Sequence, residues 1–235
     1  MDIDEKDPLD PRFADQFSAE KRPPCQLYLI SPPLIDLGFA DRLKAALSAG
    51  PVAAFQLRLK GVDDHEIARL AAPLQRICAD HDTAFIINDN IGLAKRLGAD
   101  GVHLGQNDGD PREAREALGG DAQIGVTCHN SRHLAMEAGE NGADYVAFGA
   151  FYPTGTKDVS EFSDKAILGW WTTLFGTPCV AIGGITPSNA APLVAAGADF
   201  IAASGAVWND PLGEAEAVKA FMSALVSPSS SPLAR

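Results

Sequence analysis

Eight short apolar runs alternate with amphipathic stretches along this 235-residue chain. Five of the runs end in polar residues, and Gly-Ala-Asp recurs three times just before an apolar run. Together these observations predict a single-domain α/β protein, a (β/α)8 TIM barrel. Alternating strand and helix patterns favour a parallel sheet, and eight such units favour closure over an open, doubly wound sheet. A dinucleotide-binding sheet is weakened by the lack of G-x-G-x-x-G after the first run. In a closed barrel every strand carboxyl end opens on one face, so polar endings distant in sequence meet around one ligand.

The first 24 residues are rich in charge and proline, without the apolar core of a signal peptide, and are expected to form a loosely ordered extension. The barrel domain is expected over 25–226, with strands at 26–30, 52–56, 84–87, 101–104, 123–126, 144–148, 178–182 and 199–203. Helical periodicity is clearest at 65–81, 131–142, 186–197 and 213–226. Thr186 before Pro187 reads as an N-cap with proline at the first helical position, and Gly142 and Gly197 read as helix ends. In the Gly-Ala-Asp triplets at 98–100, 142–144 and 197–199, glycine takes the left-handed turn after a helix and aspartate starts the return into the sheet. Residues 227–235, SPSSSPLAR, have linker composition and are expected to be a flexible tail.

A net charge of −12 argues against nucleic-acid partners, which require a basic footprint. The apolar stretches are interrupted well short of the roughly 20 residues of a membrane span. Cys25, Cys78, Cys128 and Cys179 are widely separated, without a Cys-x-x-Cys pair, so neither a zinc knuckle nor a disulfide framework is indicated. The expected setting is the cytoplasm, with small molecules as partners and room left for a homo-oligomer.

The polar endings carry the chemistry. Gln56, Arg58 and Lys60 alternate after an apolar run and so project to one side, although a salt-bridged rim would look the same. Asn88, Asp89 and Asn90 follow another run and would also suit a turn and helix cap. Asp108 supplies a second carboxylate. Two carboxylates plus phosphate oxygens are a common way to hold Mg²⁺. Thr154, Gly155, Thr156 and Lys157 join hydroxyls, backbone amides and an ammonium in one phosphate-like cradle. Gly183, Gly184, Ser204 and Gly205 close the last two strands, where barrels often bind phosphate, and tight backbone packing would call for the same residues.

From Leu27 to Val226 the chain resembles the thiamine-phosphate synthase family. The likeness rests on Q-L-R-L-K at 56–60, I-N-D-N at 87–90, G-A-D-G-V-H-L-G-Q-N-D at 98–108, P-T-G-T-K at 153–157 and I-G-G-I-T at 182–186. The resemblance implies a transferase that joins 4-amino-5-hydroxymethyl-2-methylpyrimidine diphosphate to hydroxyethylthiazole phosphate, releasing diphosphate. It implies that Gln56, Leu57, Arg58, Leu59, Lys60, Asn88, Thr127 and Lys157 border the pyrimidine diphosphate, with Arg58, Lys60 and Lys157 acting in catalysis. Asp89 and Asp108 would hold Mg²⁺. Thr154, Gly155, Thr156, Gly184, Ser204 and Gly205 would hold the thiazole phosphate. Thr127 stands where the family more usually has serine, and Ala181 where it commonly has glycine. Two other readings remain at this level: a thiazole tautomerase using His129, and a non-catalytic phosphate-binding barrel. His103 reads as a satisfied core or rim residue.

Overall fold

Successive residues of a β-strand face opposite sides, and this alternation sorts the apolar residues into two cores. The computed structural model describes residues 22–153 and 162–226. Its strands are β1 (Gln26–Ile30), β2 (Val52–Leu57), β3 (Ala84–Asn88), β4 (Gly101–Leu104), β5 (Gln123–His129), β6 (Tyr145–Gly149), β7 (Cys179–Ile182) and β8 (Phe200–Ala203). They form a closed parallel barrel in sequence order, with β8 returning to β1 through Leu27 opposite Ile201. Leu27, Leu29, Phe55, Phe85, Ile87, Ile124 and Phe148 face the surrounding helices in the larger core. Tyr28, Ile30, Ala54, Ile86, Tyr145, Ala147, Val180 and Ala202 form the smaller core inside the barrel.

The helices are α1 (Phe39–Leu47), α2 (Asp64–Ala79), α3 (Ile91–Leu97), α4 (Pro111–Leu118), α5 (Arg132–Glu140), α6 (Ala166–Leu174), α7 (Pro187–Ala195), α8 (Gly205–Trp208) and α9 (Glu214–Leu225). None is long and apolar enough to cross a membrane among the described residues. Side chains of Asp63, Asn90, Asp110 and Ser131 accept from the first-turn amides of α2, α3, α4 and α5. The helix expected at 65–81 begins a residue earlier at Asp64 and ends at Ala79. Those expected at 131–142, 186–197 and 213–226 are shorter at both ends, where caps take over. Thr186, for example, precedes α7 and donates its N–H to Asn189 Oδ1 at 2.8 Å. β5 runs past the predicted 123–126 to His129, through a register shift between Thr127 and His129. The polar Thr-Cys-His ending hid that extension from an apolar-run criterion. The short α8 is not among the helices expected from the sequence.

The Gly-Ala-Asp triplets build one motif three times. Gly98, Gly142 and Gly197 have φ of +60°, +88° and +107°. The following alanine N–H reaches back five residues, Ala99 to Ala94 O, Ala143 to Ala138 O and Ala198 to Leu193 O, which closes the helix end. The aspartate then clasps the preceding strand with both of its polar ends. Asp144 N–H donates to Ile124 O at 2.8 Å while its Oδ2 accepts from Ile124 N at 2.7 Å. Asp100 does the same with Phe85, and Asp199 with Cys179. Arg115 also donates to the Asp144 carboxylate, and Arg22 makes two bonds to that of Asp199. Arg22 further donates to Thr172 O and Phe175 O, tying this point of the chain to α6 and the start of β8.

These bonds generate a stability prediction. Asp144→Ala leaves the Ile124 amide and the Arg115 guanidinium without their carboxylate and should cost about 1–3 kcal/mol. A urea midpoint lowered accordingly, with turnover per folded molecule preserved, is the expected result. An unchanged midpoint would show that the clasp contributes nothing.

Candidate active site

The mouth of the barrel is assembled first from backbone. At the end of β1, Ser31 is buried, and its Oγ accepts from Arg58 N at 2.9 Å and donates to Arg58 O at 3.2 Å. This fixes the chain where it leaves β2. Gln56 turns into the barrel at 2% exposure, whereas Lys60 is exposed. Leu57 and Leu59 turn into the helix-facing core, leaving their backbone rather than their side chains for any ligand contact.

β3 ends in Asn88, and Asp89 follows with φ of +64°, a left-handed conformation that aspartate tolerates better than most residues. Its N–H still donates to His103 O at 2.8 Å. Asn90 has the capping role, its Oδ1 accepting from Leu93 N at 2.8 Å. Asp89 is thus released to the mouth, where its Oδ2 accepts from Lys60 Nζ at 2.6 Å. The Asp108 carboxyl, from the loop after β4, lies within hydrogen-bonding contact of Asp89. Partial desolvation and the adjacent Asp89 carboxylate raise the Asp108 carboxyl above its ordinary range, with Lys60 offsetting part of the effect. Two carboxylates 19 positions apart in sequence are therefore neighbours in an electrostatically strained pair.

Beneath this pair, a hydrogen-bonded chain crosses the barrel interior. Gln56 Nε2 donates to Tyr28 Oη at 3.0 Å, and Tyr28 Oη lies 2.9 Å from Tyr145 Oη. Tyr145 Oη lies 3.1 Å from His103 Nδ1, whose Nε2 is 2.8 Å from Thr127 Oγ1. Burial pushes the Tyr28 hydroxyl up to about 12 and raises that of Tyr145 well above its usual value. His103 is lowered to about 4 by burial, which outweighs the attraction of Asp89, with the Arg58 charge adding to the lowering. The whole chain is therefore neutral at physiological pH. His103 matches its sequence reading as a satisfied core residue.

On the other side of the mouth, β7 is followed by Gly183 and Gly184 with φ of +102° and +63°. A Cβ at Gly184 would run into the carbonyl oxygens of Tyr152 and Pro153, so this close approach requires glycine. Ser204 precedes α8 and its Oγ donates to Ser31 O at 3.2 Å. β1, β2 and β8 are thereby joined at their carboxyl ends. Gly205 is the first residue of α8. His129 stands exposed at the end of β5 with φ of +52°. Thr154, Gly155, Thr156 and Lys157 lie outside the described residues.

Sequence reading missed Ser31, Tyr28 and Tyr145. The tyrosines sit in apolar strands and look like core aromatics. Their signal was parity: each falls on the same inward face as Gln56 and His103.

The model of the thiamine monophosphate synthase family matches residues 27–207. A thiamine-phosphate synthase of Erythrobacter litoralis is 63% identical over 207 residues, covering 86% of this chain and 96% of its own. Another, from Rhodospirillum centenum, is 57% identical, covering 84% of this chain and 96% of its own. Among solved structures, the thiamine phosphate pyrophosphorylase of Pyrococcus furiosus superposes with a TM-score of 0.74 at 27% identity, covering 85% of this chain and 95% of that one.

The strained carboxylate pair predicts an inverse relation between stability and activity. A raised folded-state pKa means that the fold favours protonated Asp108; that stabilisation is present at low pH and is lost as pH rises through the folded value. At pH 7 the ionised pair opposes folding. Asp108→Asn should therefore raise the melting temperature in EDTA at pH 7 while turnover falls. A lower melting temperature would show that the two carboxylates are not in tension.

Proposed function

The chain belongs to the thiamine monophosphate synthase family and catalyses the formation of thiamine phosphate, and on that premise we propose how its mouth divides the reaction. The pyrimidine diphosphate lies over the β2–β5 side, with Gln56, Asn88 and Thr127 beneath the ring. Arg58, Lys60 and Lys157 face the diphosphate. The thiazole phosphate lies against Gly184, Ser204 and Gly205, joined by Thr154, Gly155 and Thr156. The observation that carries this reading is the convergence of Asp89, Asp108 and Lys60 at one rim of the mouth.

The donor set there fits Mg²⁺. Asp89 and Asp108 repel one another, a repulsion a divalent cation relieves. Among the described residues no group of three or more His, Cys, Asp or Glu side chains could hold a metal, so substrate oxygens and water would complete the coordination. When bound, Mg²⁺ would neutralise charge on the departing diphosphate.

The remaining steps belong to the protein and the substrates. As the C–O bond to diphosphate breaks, negative charge grows on the leaving oxygen and is met by Arg58, Lys60 and Lys157. The electron-rich aminopyrimidine carries the complementary positive charge at its methylene carbon. The thiazole nitrogen, held on the opposite side by its phosphate, attacks that carbon with its lone pair. No protein nucleophile or strong base is required, and the neutral chain below the ring offers neither. The four cysteines are free, with three of them buried, which fits a reducing cytoplasm.

Incubation with both substrates and Mg²⁺ should yield thiamine phosphate, and EDTA should stop it. Lys60→Ala should lower kcat by roughly 10²- to 10³-fold and raise KM for the pyrimidine diphosphate less, because a charge-stabilising contact acts most in the transition state. Full activity after complete metal removal would overturn the metal assignment. An effect of Lys60→Ala confined to KM would overturn its role in diphosphate departure.

A further inference from the structure

Arg58 stands one residue past the end of β2 and is held there by a side chain. In a parallel pair each residue bonds to the two residues flanking its partner. Ser31 N–H donates to Gln56 O at 2.9 Å, so a continued ladder would have Arg58 N–H donate to Ser31 O. Instead Arg58 N–H donates to Ser31 Oγ at 2.9 Å, and the same hydroxyl donates to Arg58 O at 3.2 Å. Ser31 O is left to accept from Ser204 Oγ. One hydroxyl thus closes both backbone polar groups of Arg58, and at 3% exposure of Ser31 water has little access to compete for it.

The two cations beside this point are oriented differently. Lys60 is aimed by its ion pair with Asp89 at 2.6 Å. Arg58 is half-buried, and among the described residues its guanidinium has no hydrogen-bond or ion-pair partner. Its charge is felt at His103 inside the barrel, which sets it on the mouth side. A long side chain without a partner takes its direction from its backbone. We infer that Ser31 is a positioning residue for Arg58, gripping the Arg58 backbone through one hydroxyl and so setting where the guanidinium stands before substrate arrives. This inference rests on the placement of Arg58 against the diphosphate proposed above.

Ser31→Ala removes the clasp and keeps the bonds that the Ser31 backbone makes to Gln56 and Ser204. The rate of the chemical step, measured in single turnover, should fall roughly 10- to 100-fold, the order expected for displacing a reacting group by about 1 Å. KM for the pyrimidine diphosphate should change less, and KM for the thiazole phosphate should stay unchanged. The deciding measurement is made in an Arg58→Ala background, where the backbone clasp survives and the guanidinium is gone. There Ser31→Ala should slow the step by no more than about twofold, while lowering the melting temperature as much as it does in wild type. Should Ser31→Ala fold poorly, Ser31→Cys replaces the hydroxyl by a weaker donor and acceptor and is read in the same way. A wild-type rate in Ser31→Ala, or a loss undiminished in the Arg58→Ala background, would overturn the inference and leave the clasp a purely structural role. If Arg58→Ala by itself changes neither the rate nor the pyrimidine KM, the placement of Arg58 at the diphosphate is wrong and the inference falls with it.

Discussion

Closing eight parallel strands into a barrel sends every second side chain into a lumen largely screened from bulk water, and much of this molecule follows from how that space is filled. An apolar lumen would be simple to satisfy. Here Gln56, His103, Thr127 and two tyrosines enter it, and their polar atoms are drawn into contact with one another. The result is a chain of hydrogen bonds through residues of β1, β2, β4, β5 and β6. Packing and polarity are one arrangement. The Tyr145 ring occupies the space where a Cβ on Gly125 would stand, so removal of a side chain on β5 is what admits the hydroxyl that joins Tyr28 to His103.

The two ends of the barrel use the same residue type in opposite ways. At the strand amino ends, Asp100, Asp144 and Asp199 are satisfied by strand amides, and the last two also by Arg115 and Arg22. Those carboxylates fix the scaffold. At the mouth, Asp89 has Lys60 as its ion-pair partner and faces Asp108, a carboxyl pushed toward its protonated form. A clustered, perturbed acid on a rigid frame is where function is expected.

The sequence made the barrel readable because its apolar runs and Gly-Ala-Asp returns are local signals, repeated often enough to imply closure. The strand and helix centres follow directly. The ends do not, because caps such as Thr186 and the bulged Thr127–His129 ending belong to an element by geometry without matching its hydrophobic pattern. The rim residues Asp89 and Asp108 were legible from their positions after apolar strands. Tyr28, Tyr145 and Ser31 were not, since their importance lies in contacts between residues up to 173 positions apart. No single run marks a tyrosine as a member of a buried hydrogen-bonded chain rather than of a wall. Strand parity compared across the whole barrel would have done so.

A chain of net charge −12 that binds a diphosphate and a phosphate must overcome its own long-range field. At physiological ionic strength charges are screened over roughly 8 Å, so much of the distant acidic surface is muted at the mouth and the nearby groups decide. There the neutral lumen matters as much as the cations. Were His103 charged, it would add a buried positive group beneath the mouth; were either tyrosine ionised, it would add a negative one. By holding all three neutral, the interior leaves the field at the mouth to Arg58, Lys60 and the carboxylate pair. In the proposed arrangement, charge is thereby kept where the leaving group departs, and uncharged hydrogen bonds where the ring lies.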